Sequence, residues 1–152
     1  MKYGLTVMLW LVAFSAVADE IFPAKCHPLM VHEDLLTLSA KKPSVVMIHN
    51  LSSIDLWLTH PISEPSASAG WSSRIQGGHW SALALDKASF DLSCIESRPG
   101  HEQQVPCKGL LAACIWPSVK SPKSKSGTFW AGEDLPLSAL KAHVGSRGFV
   151  LP

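Results

Sequence analysis

The sequence has little charge and lacks the local motifs that identify many enzyme sites. Charged residues make up 16 % of the chain, so much of the surface must be Ser, Thr, Gly, Pro and exposed apolar groups, which favours a protein that docks on another surface. There is no Gly-x-Ser-x-Gly motif of a serine hydrolase, no glycine-rich phosphate loop and no Cys-x-x-Cys redox pair. The sequence therefore predicts a non-catalytic protein without a cofactor.

Long apolar runs are missing after the first 18 residues, which have the pattern of a secretory signal peptide. Lys2 precedes an uncharged apolar run from Gly4 to Val17, and small residues stand at the positions that signal peptidase reads before a cleavage after Ala18. The run is shorter than the roughly 20 residues of a membrane span. We expect a single domain over residues 19–152, with no membrane span, in the periplasm or outside the cell.

Neither sign of charge is in excess. The chain has 13 basic and 12 acidic residues, and loss of the leader removes Lys2, which leaves 12 of each. A neutral domain has no general electrostatic attraction for nucleic acid or anionic lipid. We therefore expect another envelope protein as partner, and no nucleic acid.

Alternating apolar residues indicate a mainly β domain. Residues 31–40 favour a strand, and further strand-like runs are Ser44–His49, Ile54–His60, Trp80–Leu85, Phe90–Ile95, Val105–Trp116, Thr128–Trp130 and Phe149–Leu151. The turn residues at 50–53 predict that the runs on either side form a pair of strands. About seven strands with one or two short helices are typical of a small β-sandwich.

One helix is predicted near the C-terminus. Leu137, Leu140 and Val144 have helical spacing, Pro136 suits a first turn, and Gly145 suits a C-terminal stop.

The four cysteines predict a sandwich stapled by two disulfides, because an exported chain is oxidised. Cys94 and Cys107 lie at equal distances from a Pro-Gly turn and would face each other across a hairpin. This spacing favours Cys94–Cys107 with Cys26–Cys114, where the second bond ties an extended N-terminal arm to the body. The rival pairing is Cys94–Cys114 with Cys26–Cys107.

Metal binding is the sharpest chemical alternative. Cys26, His27, Met30 and His32 combine soft and imidazole ligands that suit copper. The strand, turn and strand from Val45 to Leu58 also resemble the start of a cupredoxin sandwich, although the late Cys-His-Met ligand loop is absent. The alternative hypothesis is therefore a periplasmic copper-binding or copper-delivery protein, and scattered polar histidines without any metal are the simpler interpretation.

The stretch from Trp71 to Trp116 contains three of the four cysteines and predicts the structural centre of the domain. Exposed aromatic residues and the 61–80 region are the candidate contact groups, with Trp71 and Trp80 as the candidate binding residues. Trp57, Trp80 and Trp116 lie in strand patterns, which also predict core or half-buried positions.

The runs IHNLSSIDLWLTHP, AGWSS and HWSALALDKASFDLSC, followed by a cysteine pair separated by six residues, resemble the enhanced entry protein B (EnhB) family of intracellular bacterial pathogens. The resemblance covers nearly all of the mature chain. It implies an exported, non-catalytic protein that belongs with a larger Sel1-repeat enhanced entry protein and is associated with entry into host cells. It implies no catalytic residues.

The leading hypothesis is a protein of the bacterial envelope that acts through protein–protein contact in host-cell entry. A third hypothesis, beside copper binding, is a small inhibitor of an envelope hydrolase such as lysozyme, because the size and the disulfides fit that class equally well.

Overall fold

A computed structural model describes residues 22–60, 72–122 and 127–152 of the protein. The predicted signal peptide and Trp71 lie outside the described residues. The described chain contains one helix, α1 (Leu137–Ser146), and ten strands. These are β1 (His27–Leu29), β2 (Leu35–Ser39), β3 (Ser44–Asn50), β4 (Leu56–Thr59), β5 (Ser72–Ile75), β6 (Trp80–Leu85), β7 (Ser89–Glu96), β8 (Gln104–Val105), β9 (Leu111–Trp116) and β10 (Phe129–Leu135).

The strands form two antiparallel sheets, which confirms the predicted mainly β, sandwich-like architecture. Sheet A has the order β1-β9-β3-β6-β10, and sheet B has the order β2-β7-β4-β5, with β8 pairing beside β2 on the same edge of β7. The number of strands exceeds the predicted seven because β1, β5 and β8 are short and carry little apolar alternation. No helix among the described residues has the length and hydropathy of a membrane span.

The central strands of sheet A, β3 and β6, are buried on both faces, whereas β2, β4 and β5 of sheet B are buried on one. All six residues of β6 are buried, and β3 is buried at every position except His49. In sheet B, buried and accessible residues alternate along β2, β4 and β5, as they do in a strand with one solvated face. The molecule therefore has three layers: sheet B, sheet A, and a cover of irregular chain and helix over the far side of sheet A.

Two apolar cores separate these layers. The first core lies between the sheets and includes Leu36, Leu58, Leu83 and Leu92. The second core lies between sheet A and its cover, and it is built around Met47, Trp80, Trp116, Leu140 and Val144. Helix α1 supplies the last two of these, so the predicted helix and its apolar face are confirmed.

The N-terminal arm closes one side of the second core. The indole nitrogen of Trp116 donates a hydrogen bond of 3.0 Å to the carbonyl of Ala24, and a disulfide joins Cys26 to Cys114 on β9. Because β1 continues directly from Cys26 and pairs with β9, covalent and ladder contacts hold the arm at the same place.

The predicted pairing of the strands on either side of residues 50–53 is wrong. β3 belongs to sheet A and β4 to sheet B, so this turn carries the chain across the sandwich. Asn50 is the physical reason, because its fully buried side-chain amide donates hydrogen bonds to the carbonyls of Ile54 (2.7 Å) and Ile75 (3.1 Å). These bonds direct the chain towards sheet B instead of back along β3.

The ends of the helix and of the chain also differ from prediction. Gly145 lies inside α1, and the left-handed position after the helix belongs to Gly148, with φ of 94°. The predicted last strand is reduced to a single bridge between Lys120 and Val150, because Phe149 is buried in the second core.

Candidate functional site

The disulfides of the structure are Cys94–Cys107 and Cys26–Cys114, the pairs that the spacing favoured. The expected geometry of the first was wrong in one respect. The ladder partner of Cys94 on β8 is Val105, so the disulfide joins Cys94 to the residue two positions further along. Two disulfides are consistent with an oxidising compartment, either the periplasm or the cell exterior.

The copper candidates do not assemble as a site. The sulfur of Cys26 is bonded to Cys114 and is therefore no thiolate ligand, while His27, Met30 and His32 lie on the accessible arm, with Met30 74 % exposed. In the three described segments, no three His, Cys, Asp or Glu side chains come together in a group that could hold a metal ion.

Of the two aromatic candidates for binding, only Trp80 is described. Its side chain lies in the second core and the residue is 4 % exposed. The ring stacks on His49, the neighbouring residue across the β3–β6 ladder, at 4.1 Å between centroids, and meets the edge of Phe22 at 6.4 Å. This burial removes Trp80 from the candidate contact groups.

The turn between β5 and β6 packs on the crossing between β3 and β4. The amide of Asn50 donates to the carbonyl of His79 (3.0 Å), and the amide of Gly78 donates to the carbonyl of Asn50 (2.9 Å). A side chain at Gly77 would collide with the backbone of Ser52, which lies 2.7 Å from the position of its Cβ. Close backbone approach therefore requires glycine at this position.

Asp134 fixes that turn to the end of β10. Its carboxylate accepts hydrogen bonds from the backbone and the side-chain amide of Gln76, at 2.8 and 2.9 Å, and contacts Nδ1 of His79 at 2.9 Å. Burial alone would raise the pKa of the Asp134 carboxyl, but these hydrogen bonds and the charge of His79 outweigh it, so the pKa lies below its ordinary value. The cluster is a clamp between the two sheets, in which each carboxylate oxygen already has a partner within the chain.

His49 is the residue of β3 that precedes Asn50. Burial lowers the pKa of its imidazole, and a hydrogen bond with the Gly78 backbone opposes this shift only in part. The neutral ring is therefore favoured, which suits its stacking on the indole of Trp80.

The outer face of sheet B carries a row of neighbouring side chains from three strands. Trp57 is the cross-strand neighbour of Ile95 on one side and of Arg74 on the other, and all three side chains point away from the first core. The guanidinium of Arg74 pairs with the carboxylate of Asp55 and is still half-exposed. We call Trp57, Ile95 and Arg74 the Trp57 row.

A hydroxyl-bearing row lies beside the Trp57 row. Ser93 pairs with Thr59, and Thr59 pairs with Ser72. The Ser93 hydroxyl donates to the carbonyl of Thr59 (3.1 Å), so it bonds within the sheet. This face thus presents a half-buried aromatic and aliphatic pair, bordered by the half-buried Thr59, the exposed Ser72 and the cation of Arg74.

The sequence pattern predicted a core or half-buried position for Trp57, and the structure places it half-buried on the strand face opposite Leu56 and Leu58. It could not identify Ile95 as the neighbour, because the β4–β7 pairing joins residues far apart in the chain. No protein-family model, curated protein or solved structure matches the chain.

Proposed function

We propose that this is an exported, non-catalytic protein of the bacterial cell envelope that binds another envelope protein through the Trp57 row and thereby supports entry into host cells. The observation that carries the proposal is the difference between the faces of the sheets. The central strands of sheet A have both faces buried, whereas β4 and β5 of sheet B leave one face accessible, on which the half-buried Trp57 lies beside the half-buried Ile95 of β7.

The chemistry of this row fits protein recognition. Aromatic residues and arginine are enriched at protein–protein interfaces, because they combine a large apolar area with polar groups. Trp57 supplies the apolar area, and Arg74 supplies a cation that is only partly neutralised by Asp55. The partner surface that fits is apolar at its centre, with a carboxylate positioned for Arg74.

The resemblance to the enhanced entry family supports the biological role and suggests a Sel1-repeat protein as the partner. The His79–Asp134 pair is engaged as a structural clamp, which agrees with a non-catalytic function. The two disulfides support the envelope location.

Photocrosslinking in the producing bacterium tests the interface. A photoreactive phenylalanine derivative at position 57 should capture a defined envelope protein, and mass spectrometry should show whether it contains Sel1 repeats. The same group at Lys141, which is exposed on α1, should not capture it. Equal capture from both positions, or none from position 57, would contradict the proposal.

Two variants test whether the row is needed. With the photoreactive group moved to position 95, Trp57→Ser and Arg74→Glu should each reduce capture of the partner. Each should also lower the number of bacteria that enter host cells, whereas Lys141→Glu should leave capture and entry unchanged. Because Trp57 is partly buried, thermal unfolding of each purified variant must show a folded protein. A folded Arg74→Glu variant with unchanged capture and unchanged entry would exclude this row as the interface.

A further inference from the structure

The outer strands of the two sheets differ in how they are protected from pairing with another chain. β1 has three residues and contains Pro28. β10 has register shifts at Trp130 and Gly132, and β5 carries Arg74 and is followed by Gln76, which Asp134 holds. Shortness, proline, bulges, charge and covering contacts are the devices by which proteins avoid edge-to-edge association.

β2 has only one of these devices, a covering contact at its first residue, where the amide of His32 bonds to the carbonyl of Leu35. Its five residues, LLTLS, contain no charge, glycine or proline, and they pair with β7 without interruption from Leu35 to Ser39. The strand is therefore a regular, uncharged edge of sheet B, and its alternate residues Thr37 and Ser39 are exposed.

The hydrogen bonds at the ends of β2 show which backbone groups face outward. The amide of Ala40 donates to the carbonyl of Ala88 (3.0 Å), towards β7, whereas the carbonyl of Leu35 accepts from His32 (2.9 Å), outside the ladder. Backbone groups alternate in direction along an antiparallel edge strand. Those of Thr37 and Ser39 therefore point away from β7, and within the described chain they have no hydrogen bond outside the β2–β7 ladder.

The residues that flank β2 give this edge a polarity. Glu33 and Asp34 precede the strand, Lys41 and Lys42 follow it, and all four are exposed. In the described chain, the one ion pair of these side chains joins Glu33 to Lys108 at 3.9 Å, where both side chains are largely exposed. The acidic start and the basic end are thus available to a second strand.

We propose that β2 pairs antiparallel with β2 of a second copy of this chain, which joins the two B sheets into one continuous sheet across a twofold axis. A pairing centred on Leu38 sets Thr37 of each copy opposite Ser39 of the other, so it uses these outward backbone groups, and it brings the acidic start of each strand beside the basic end of the other. Such a self-complementary contact is isologous and closes as a dimer. A strand with an unrelated sequence would lack this charge match.

The β2–β2 contact is separate from the interface proposed at the Trp57 row. The β2 edge lies two strands away from β4, which carries Trp57, so a dimer leaves the Trp57 row open. The contact is short and falls below the roughly 1,200 Å² of a standard interface, so the dimer should dissociate on dilution.

Sedimentation velocity of the purified protein provides the first test. Over a concentration range of about 5 to 500 µM, the weight-average sedimentation coefficient should rise from that of a monomer towards that of a dimer and not beyond. A protein that stays monomeric throughout this range overturns the proposal, as does growth to open-ended oligomers.

Charge reversal identifies the edge. Lys41→Glu/Lys42→Glu places four acids around β2, and Glu33→Lys/Asp34→Lys places four bases there, so each variant alone should shift the dissociation constant upward at least tenfold. An equimolar mixture of the two should form a heterodimer at least as tight as the wild-type dimer. Lys120→Glu/Lys141→Glu, which changes net charge equally on exposed residues elsewhere, should behave as wild type.

A mixture that stays monomeric while the wild type dimerises would place the dimer contact elsewhere and overturn the proposal. Thr37→Pro provides a second route, because it removes an outward amide and leaves the bonds of Leu36 and Leu38 to β7 intact. It should abolish dimerisation with the thermal midpoint little changed, and full dimerisation of the folded variant would equally refute the β2 contact.

Discussion

Sheet A and sheet B are built from similar numbers of strands but have different surroundings. Sheet A is an internal layer, so consecutive residues of β3 and β6 enter different cores, whereas sheet B turns alternate residues to solvent. Burial, and not strand content, therefore separates the part of the molecule that holds the fold from the part that is free to bind. The two disulfides are divided between the sheets. Cys26–Cys114 ties the N-terminal arm to β9 of sheet A, and Cys94–Cys107 ties β7 of sheet B to the residues after β8.

Removal of the disulfides should show the largest difference between the sheets. Replacing Cys26 and Cys114 by Ala opens a loop with a sequence separation of 88 residues, and replacing Cys94 and Cys107 opens one of 13. Loop-closure entropy predicts losses of about 4.5 and about 3 kcal/mol, respectively, in the free energy of unfolding. Urea unfolding of the two double variants measures both, and a greater loss for the Cys94–Cys107 variant would refute this order.

Truncation of neighbouring residues should give the next largest effect. On β3, Val46→Ala and Met47→Ala should each cost about 2–4 kcal/mol, because the two side chains fill different cores. On β4, Leu58→Ala should cost a similar amount, and the adjacent Thr59→Ala less than about 1 kcal/mol. Urea unfolding of the four single variants decides this, and a Thr59 loss equal to that of Leu58 would show that sheet B is covered on both sides.

Asp134 tests the connection between the sheets. Asp134→Asn keeps the shape and tolerates the left-handed φ of 53°, but it removes the charge that Gln76 and His79 bond, so the expected loss at neutral pH is about 1–3 kcal/mol. Because the carboxyl pKa is lowered in the folded protein, its stabilisation is complete above the unfolded pKa, near 4, and is lost as the pH falls through the folded value. Thermal unfolding from pH 7 to 2 should show this loss of stability at acid pH in the wild type and not in Asp134→Asn.

His49 should give the smallest effect. Its pKa is lowered by burial, so the neutral ring stabilises the fold fully above the ordinary histidine pKa of about 6.5, and this contribution declines as the pH falls below it. His49→Phe retains a ring against Trp80 and removes the titration. Thermal midpoints between pH 8 and 5 should therefore fall less in the variant than in the wild type, and parallel pH profiles would contradict the assignment.

The sequence predicted the bounds of the two central strands of sheet A, β3 and β6, to within one residue. β6 has the predicted bounds Trp80–Leu85. Trp80, Ala82 and Ala84 enter the second core, and the alternating Leu83 and Leu85 enter the first. β5 was not predicted, because Ser72–Ile75 has a single apolar residue and therefore no alternation. The pairing of β3 with β6 and β9 has no local signal, since it joins distant parts of the chain.

The same limit applies to the candidate site. The alternation along β4 was enough to place Trp57 on the face opposite the core. It could not show that Trp80, which has the same kind of pattern, lies under a second layer, because that layer comes from the N-terminal arm and α1. The contact between Asp134 and His79 joins residues 55 positions apart in the chain. An aspartate before a Leu-Pro pair has no sequence feature that predicts such a contact.

The nesting of one disulfide inside the other has a consequence for how the protein is made. In the exported chain that we propose, Cys26 emerges first and Cys94 second, so the first bond that oxidation can form joins two cysteines that are not partners in the native fold. The correct partner of Cys26 arrives last, and its strand β9 docks only after most of the chain has appeared. Maturation should therefore depend on a disulfide isomerase, and cells without one should accumulate a crosslinked species in which Cys26 is joined to Cys94.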